Sequence, residues 1–346
     1  MQKRLMIQFQ CDYNEGAHPK ILERLIETNM EQTVGYGNDQ YCASARKLIR
    51  KACDCPTADV HFLVGGTQAN ATIISSILKP YQCVICAHTA HINVHETGAI
   101  EHGGHKCLAI PAHDGLISAS QIEKVLKNHF EDDEPEHCVQ PGLVYISFST
   151  EYGTLYSSTE LQLISEVCHS YDIPLFIDGA RMGYGLMSDE CDITLPELAQ
   201  LADVFYLGGT KQGALFGEAV VITNDKLKRD FRYNIKQGGG MLAKGRLLGI
   251  QFETLFTDNL YFNLARHANQ QAMRIKKALQ DNGYPFLIES PTNQQFPILP
   301  NELIDELSKD FLFSIWEKVD DEHTCIRICT SWATKPENVD KLIAML

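Results

Sequence analysis

Three short blocks in this sequence combine residue types that can do chemistry. Val64-Gly65-Gly66-Thr67-Gln68-Ala69-Asn70 closes an apolar run and opens a helical pattern. Glycines let a backbone approach a ligand, and a helix N-terminus presents unpaired N–H groups and a positive dipole end. Gly65, Gly66 and Thr67 are therefore a candidate phosphate cradle, although many strand–helix turns carry glycine for steric reasons alone. Neither G-x-x-x-x-G-K-[ST] nor G-x-G-x-x-G occurs there, which argues against a nucleotide. Phe176-Ile177-Asp178-Gly179-Ala180-Arg181 ends a strand-like run in an acid. Ligands of α/β sheets sit at such strand ends, while a turn aspartate bonded to its own backbone is the plainer alternative. Tyr206-Leu207-Gly208-Gly209-Thr210-Lys211-Gln212-Gly213 sets one lysine among glycines. Desolvation or a nearby cation would lower the pKa of Lys211 and make its amine nucleophilic. Its plainer alternative is a surface turn lysine.

Taken in order, the blocks say more than any one alone. A pyridoxal phosphate enzyme needs an anion cradle, an acid for the pyridinium nitrogen and a lysine to form the Schiff base. A flat group over the ring also helps. Gly65–Thr67, His91, Asp178 and Lys211 supply all four, each beside a strand-like run. A rival reading takes His88, His91 and His95 as a metal cluster. The H-E-x-x-H signature is absent, because His95-Glu96 runs into Thr97-Gly98, and no acid or cysteine set completes a site. No metal is expected. Cys83 and Cys86 form a C-x-x-C, but within a strand they face opposite ways and read as core.

The elements that must position these residues follow from the apolar pattern. Buried strands are expected at Val60–Val64, Cys83–Ala87, Lys106–Ile110, Leu143–Phe148, Ile173–Ile177, Val204–Leu207 and Ala219–Thr223. Helical patterns lie between them at Thr67–Leu78, Ser118–Asn128, Thr159–Tyr171 and Leu195–Leu201, with two earlier ones near Lys20–Thr28 and Gln40–Ala52. This alternation predicts an α/β domain with a mostly parallel seven-stranded sheet covered on both faces. After Gln237-Gly238-Gly239-Gly240 the texture changes. A long helical stretch from Ala243 to Gln280 breaks near Phe256–Asn259. Strand candidates follow at Phe286–Glu289, Phe311–Ile315 and Cys325–Thr330, and a closing helix carries Val339, Leu342 and Ile343. We divide the chain into a large domain over 1–240 and a small C-terminal α+β domain over 241–346.

Composition excludes other classes. With 44 % hydrophobic and 21 % charged residues in 346, the chain is globular rather than disordered. Its 30 basic and 44 acidic side chains leave a net charge of −14 with no basic cluster, so nucleic acid is not an expected partner. No apolar stretch reaches the roughly 20 residues that span a bilayer, and the start at Met1–Gln10 lacks the apolar core of a secretory signal. The 12 cysteines are scattered through apolar runs and read as reduced, which fits the cytoplasm.

At this level the sequence resembles the β-eliminating lyase/threonine aldolase group of fold-type I, aspartate aminotransferase-like pyridoxal phosphate enzymes, especially low-specificity L-threonine aldolases. The resemblance runs from Asp12-Tyr13-Asn14-Glu15-Gly16-Ala17-His18-Pro19 to Arg327-Ile328-Cys329-Thr330-Ser331-Trp332. It passes through Gly35-Tyr36-Gly37-Asn38-Asp39, Ala90-His91-Ile92 and the three blocks above. It implies pyridoxal 5′-phosphate as cofactor, with Lys211 bonded to it, Asp178 paired with the pyridine nitrogen, His91 on the ring, and Gly66 and Thr67 at the phosphate. Arg181 would lie near the phenolic oxygen or the substrate carboxylate. Arg327 would clamp that carboxylate, a task suited to guanidinium's fork.

The departures concern the substrate. Many of these aldolases carry Phe-Arg-Ser-Asp near the start, whereas this chain has Phe9-Gln10-Cys11-Asp12, so the Cys11 thiol replaces a hydroxyl that touches substrate. An Asn-Thr-His-Asn segment becomes Ser149-Thr150-Glu151-Tyr152, with Glu151 in the histidine's place. Gly-Gly-Gly-Met-Arg becomes Gly239-Gly240-Met241-Leu242, leaving Lys244 or Arg246 to restore the lost charge. The resemblance implies retro-aldol Cα–Cβ cleavage of β-hydroxy-α-amino acids, L-threonine or L-allo-threonine going to glycine and acetaldehyde, with Glu151 or His91 as base. A β-eliminating or other amino-acid lyase, a racemase, and a non-catalytic amino-acid or cofactor binder are the alternatives. The resemblance also implies a homodimer or homotetramer, with Tyr36 and the segment near Gly239 reaching across subunits.

Overall fold

The computed structural model describes residues 6–346; the start of the chain, on which the reading about a signal partly rests, lies outside them. Thirteen strands form three sheets. They are β1 (Ile7–Gln8), β2 (Asp59–Leu63), β3 (Gln82–Ala87), β4 (Lys106–Ile110), β5 (Gln140–Ser147), β6 (Leu175–Asp178), β7 (Val204–Gly208), β8 (Glu218–Ile222), β9 (Phe286–Ile288), β10 (Gln294–Pro300), β11 (Phe311–Leu312), β12 (Ser314–Lys318) and β13 (His323–Cys329). The main sheet runs β2-β8-β7-β6-β5-β3-β4, and β8 alone runs against its neighbours. All seven expected runs are its strands. Apart from the edge strand β4, they are apolar on both faces because helices cover both, so their residues are buried nearly without alternation.

That direction pattern brings the carboxyl ends of β2, β3, β5, β6 and β7 to one edge, together with the first residue of the reversed β8. Helix starts are set locally. Ser118 with Gln121, Ser157 with Glu160 and Thr194 with Glu197 form capping boxes, which satisfy two orphan N–H groups at each start. The expected helix break is sharp: Asp258 and Asn259 both take positive φ between the helices Arg246–Phe256 and Leu260–Asp281.

A four-stranded antiparallel sheet, β12-β13-β10-β9, forms the second layer system, and β1 pairs in parallel with β11. The apolar side chains gather into two main cores. Core membership runs across residue 240. Leu248, Phe252 and Leu255 pack into the first core, and the helix Leu260–Asp281 gives Leu264 to the first and Ile275 and Leu279 to the second. Phe9 belongs to the second core as well, so the small unit takes in the N-terminal strand. The seam therefore runs through a continuous helix rather than a glycine hinge. Strand β10 was not expected, because its two prolines and two glutamines argue against a central strand. Pro297 sits at a register shift against β9, and the Gln295 amide is satisfied by the Ser290 and Thr292 carbonyls at 3.2 and 2.8 Å.

Candidate active site

Asp178 ends β6 and is almost wholly buried. Its Oδ2 accepts from the Tyr145 hydroxyl at 2.6 Å and from the Asn70 amide at 3.1 Å, and its Oδ1 accepts from the Ala180 N–H at 2.9 Å. Asn70 lies one turn into the helix Gly66–Ile77, so the candidate phosphate helix also orients the acid. Its amide donates to Glu96 as well, at 2.7 Å, and Glu96 meets His91 Nδ1 at 2.8 Å. A continuous polar chain thus joins Asp178 to His91. A carboxylate on one ring nitrogen fixes how the imidazole faces the site.

Lys211 follows the Gly208-Gly209-Thr210 turn after β7. Its amine makes no hydrogen bond or ion pair among the described residues, while its backbone carbonyl is held by the Tyr184 hydroxyl. Burial pushes the amine below the usual lysine range and the Arg181 cation adds to this; Asp12, Asp178 and Glu218 oppose them. Arg181 is held by Asp12 through paired bonds at 2.8 and 3.0 Å, and Asn293 donates to the same carboxylate at 2.9 Å. Burial alone would raise the Asp12 carboxyl. Arg181, Lys211 and the two hydrogen bonds outweigh it and hold the group below its ordinary value.

The cradle residues Gly65, Gly66 and Thr67 form the helix start, and no side chain caps it. Its first-turn N–H groups are therefore left for an anion. Gly66 leaves little room, since a Cβ there would stand 3.3 Å from the Tyr206 hydroxyl. Gln68 of the same turn donates to the Gly238 carbonyl at 3.2 Å, which packs the glycine-rich segment against the cradle of its own chain.

Glu151 lies past the end of β5. Its Oε1 accepts from the His91 backbone N–H at 2.9 Å and from the Ser147 hydroxyl at 2.8 Å. Among the described residues no side chain or backbone group donates to the second oxygen. Burial raises the Glu151 carboxyl above its ordinary value against the pull of these donors. Gln294 links this residue to Arg327: its amide donates to the Glu151 carbonyl at 3.2 Å and its oxygen accepts from Arg327 at 3.4 Å. Arg327 also bonds the Gln10 carbonyl at 2.8 Å and lies over the Trp316 ring at 5.6 Å. Its Nε is buried with no partner. The Cys11 thiol donates to Asn14 at 3.0 Å. Arg246 does not restore the charge lost at Leu242, because its guanidinium is taken up by the Thr28 and Glu31 carbonyls.

Hydrogen bonds thus tie His91 to Glu151 and, through Asn70 and Glu96, to Asp178, while Lys211 lies within electrostatic range of Asp12, Asp178 and Arg181. Sequence reasoning missed Asn70, Glu96, Tyr145, Asp12 and Gln294. Asn70 and Asp12 stand inside blocks already singled out, and Glu96 had been weighed only as part of a metal motif. Tyr145 and Gln294 carry no local signal.

The profile of beta-eliminating lyases matches residues 8–300. A low-specificity L-threonine aldolase of Pseudomonas sp. (strain NCIMB 10558) is 32 % identical, over 97 % of this chain and 96 % of its own. This chain belongs to the beta-eliminating lyase family. The structure of the Leishmania major threonine aldolase superposes with a TM-score of 0.95 at 45 % identity, covering 98 % of each chain. A Thermus thermophilus aspartate aminotransferase mutant, 12 % identical, superposes with a TM-score of 0.72 over 99 % of this chain and 91 % of its own. That likeness is one of fold, and it is the fold-type I architecture expected for the family.

Proposed function

We propose that this protein is a pyridoxal phosphate-dependent aldehyde-lyase that cleaves β-hydroxy-α-amino acids between Cα and Cβ, taking L-threonine and L-allo-threonine to glycine and acetaldehyde. The observation that carries this reading is the partner-free Lys211 amine among Asp12, Asp178 and Arg181 at the strand-end edge. The threonine aldolases of Pseudomonas and Leishmania major, alike over nearly the whole chain, support it.

The residues fit the cofactor. An uncapped helix start suits a phosphate, a carboxylate steadied by three donors suits a pyridinium N–H, and an unpaired amine suits a carbonyl carbon. When bound, the cofactor supplies an electron sink for the pair left at Cα. Gly65, Gly66 and Thr67 would hold its phosphate, Asp178 its ring nitrogen, Lys211 its reactive carbon, and His91 one face of its ring.

The chain's own groups account for the remaining tasks. Arg327 and Arg181 attract the substrate carboxylate, and a guanidinium suits that planar anion. Cys11 borders the same region. Cleavage requires the β-hydroxyl to lose its proton as the aldehyde forms. Glu151 Oε2 is free to accept it, because Oε1 is anchored by Ser147 and the His91 N–H. Burial raises that carboxyl toward the working range of a base. His91, fixed by Glu96, is the alternative acceptor.

We read the working form as a homodimer or homotetramer in the cytoplasm. Leu22, Ile26, Met30, Val34 and Tyr36 form an exposed apolar run that supports self-association, and the twelve free cysteines support a reducing compartment. No helix among the described residues is long and apolar enough to cross a membrane. The test is product analysis of the purified protein with added pyridoxal phosphate. Glycine and acetaldehyde in equal amounts from threonine are expected. Pyruvate from serine or cysteine without glycine from threonine would replace the reading with β-elimination, and bound cofactor with no turnover would leave a binding protein.

A further inference from the structure

Glu218 is buried beside the machinery above and has no part in it so far. Because β8 runs backwards, its first residue arrives where the other strands end, opposite Leu63 of β2 on one side and Gly208 of β7 on the other. It thus stands between the strand leading to the phosphate cradle and the strand leading to Lys211. Its Oε2 accepts from the Gly209 N–H at 3.1 Å and its Oε1 from the Thr210 hydroxyl at 2.9 Å. Thr210 in turn accepts from the Gly217 N–H at 3.0 Å, and the Gly217 carbonyl accepts from the Gly209 and Thr210 N–H groups. One carboxylate therefore grips the two residues that precede the amine.

A neutral side chain could brace this turn. Glu218 is only 3 % exposed and has no ion pair among the described residues, and a buried carboxylate without a cation is costly. The charged and titratable groups around it are Lys211, Asp178, Tyr206 and Tyr261. Lys211 is the single cation in that set, and its other charged neighbours are Arg181 and Asp12.

We propose that Glu218 is a positioning residue for Lys211, holding the turn that presents the amine. Where ionised, its charge favours the ammonium form of that amine. The proposal rests on the reading of Lys211 as the residue that bonds the cofactor. Burial lifts the Glu218 carboxyl to about 8, against Thr210, Lys211 and the Gly209 N–H. The protonation of the carboxyl therefore depends on that of the amine, and the two do not titrate independently.

The full-length protein, stripped of cofactor, is mixed with pyridoxal phosphate across about pH 6–10, reduced with borohydride, and the labelled peptide is counted by mass. In the unaltered protein the label is expected on Lys211, forming faster as the amine loses its proton. Glu218→Gln should move the midpoint of that rise about one pH unit lower, because a charge that favoured the ammonium has gone. Glu218→Asp, which keeps the charge, should restore most of the midpoint. If Glu218→Gln fails to fold, Thr210→Val carries the test: without its hydroxyl donor the carboxyl stays protonated longer, and the midpoint should again fall. Label on Lys211 with an unmoved midpoint in the folded variant overturns the proposal alone. Label elsewhere in the unaltered protein overturns the reading of Lys211, and the proposal with it.

Discussion

Asp178 is gripped by donors from β5, from the helix after β2 and from its own turn, all within one sheet layer. Arg327 is held instead by Gln10, Gln294 and Ser314, which lie far apart in the chain and belong to the small unit and the N-terminal arm. The first arrangement uses backbone already set by the sheet. The second is made inside the small unit, which the N-terminal arm joins through Phe9, and it reaches the strand-end half through the Gln294 bond to the Glu151 carbonyl at 3.2 Å. This difference tells where the molecule is free to change. On the proposed function the strand-end residues would serve a cofactor whose demands are constant, whereas Cys11, Glu151 and Gln294 lie toward the small unit, where a changed side chain would alter what is recognised and leave the sheet intact.

That contrast can be broken by experiment. The largest effect belongs to the strand-end half: Lys211→Ala should lower threonine cleavage by on the order of 10³-fold or more, with the melting temperature unchanged or raised. A fall below tenfold in glycine release would remove the asymmetry. Next, Glu151→Gln should lower kcat on the order of 10²-fold while cofactor absorbance is retained. A base works deprotonated, so the rate of the unaltered enzyme should fall as pH drops through a pKa above the ordinary 4.5. The glutamine variant should lose this acid limb, and a pH–rate profile that keeps it would assign the proton to another group. The smallest effect is expected of Arg327→Lys, which keeps the charge and loses the fork. KM for threonine should rise about tenfold with kcat within about threefold. A collapse of kcat instead would show that the seam orders the reacting atoms as well as holding the carboxylate.

Legibility in the sequence divides along the same line. All seven strands of the main sheet could be read, because residues buried on both faces make continuous apolar runs with glycine turns between them. The blocks around Gly66, Asp178 and Lys211 were readable for the same reason, since each is a strand end followed by a tight turn. Strand β10 was hidden because its two prolines and two glutamines read against a central strand, and the Gln294 amide finds its acceptor in the distant Glu151 carbonyl, which no local pattern encodes. The change of core membership inside the helix Leu260–Asp281 carries no local mark, because that helix reads as unbroken while the glycines near residue 240 mark only a change of texture. Glu218 gave no sign at all: a single acid opening an apolar strand gains its meaning only from the reversed direction of β8.

The pairing of β1 with β11 has a consequence for how the protein is made. Residues 7–12 are made well before their partners, because Phe311–Leu312 and the Cys329 N–H that bonds the Phe9 carbonyl come about three hundred residues later in the chain. The main sheet can pack while synthesis continues. The arm carrying Cys11 and Asp12 must wait for the later strands, so a chain cut short by some forty residues would keep Lys211 and Asp178 on a formed sheet while lacking Arg327 and the strand that anchors the arm.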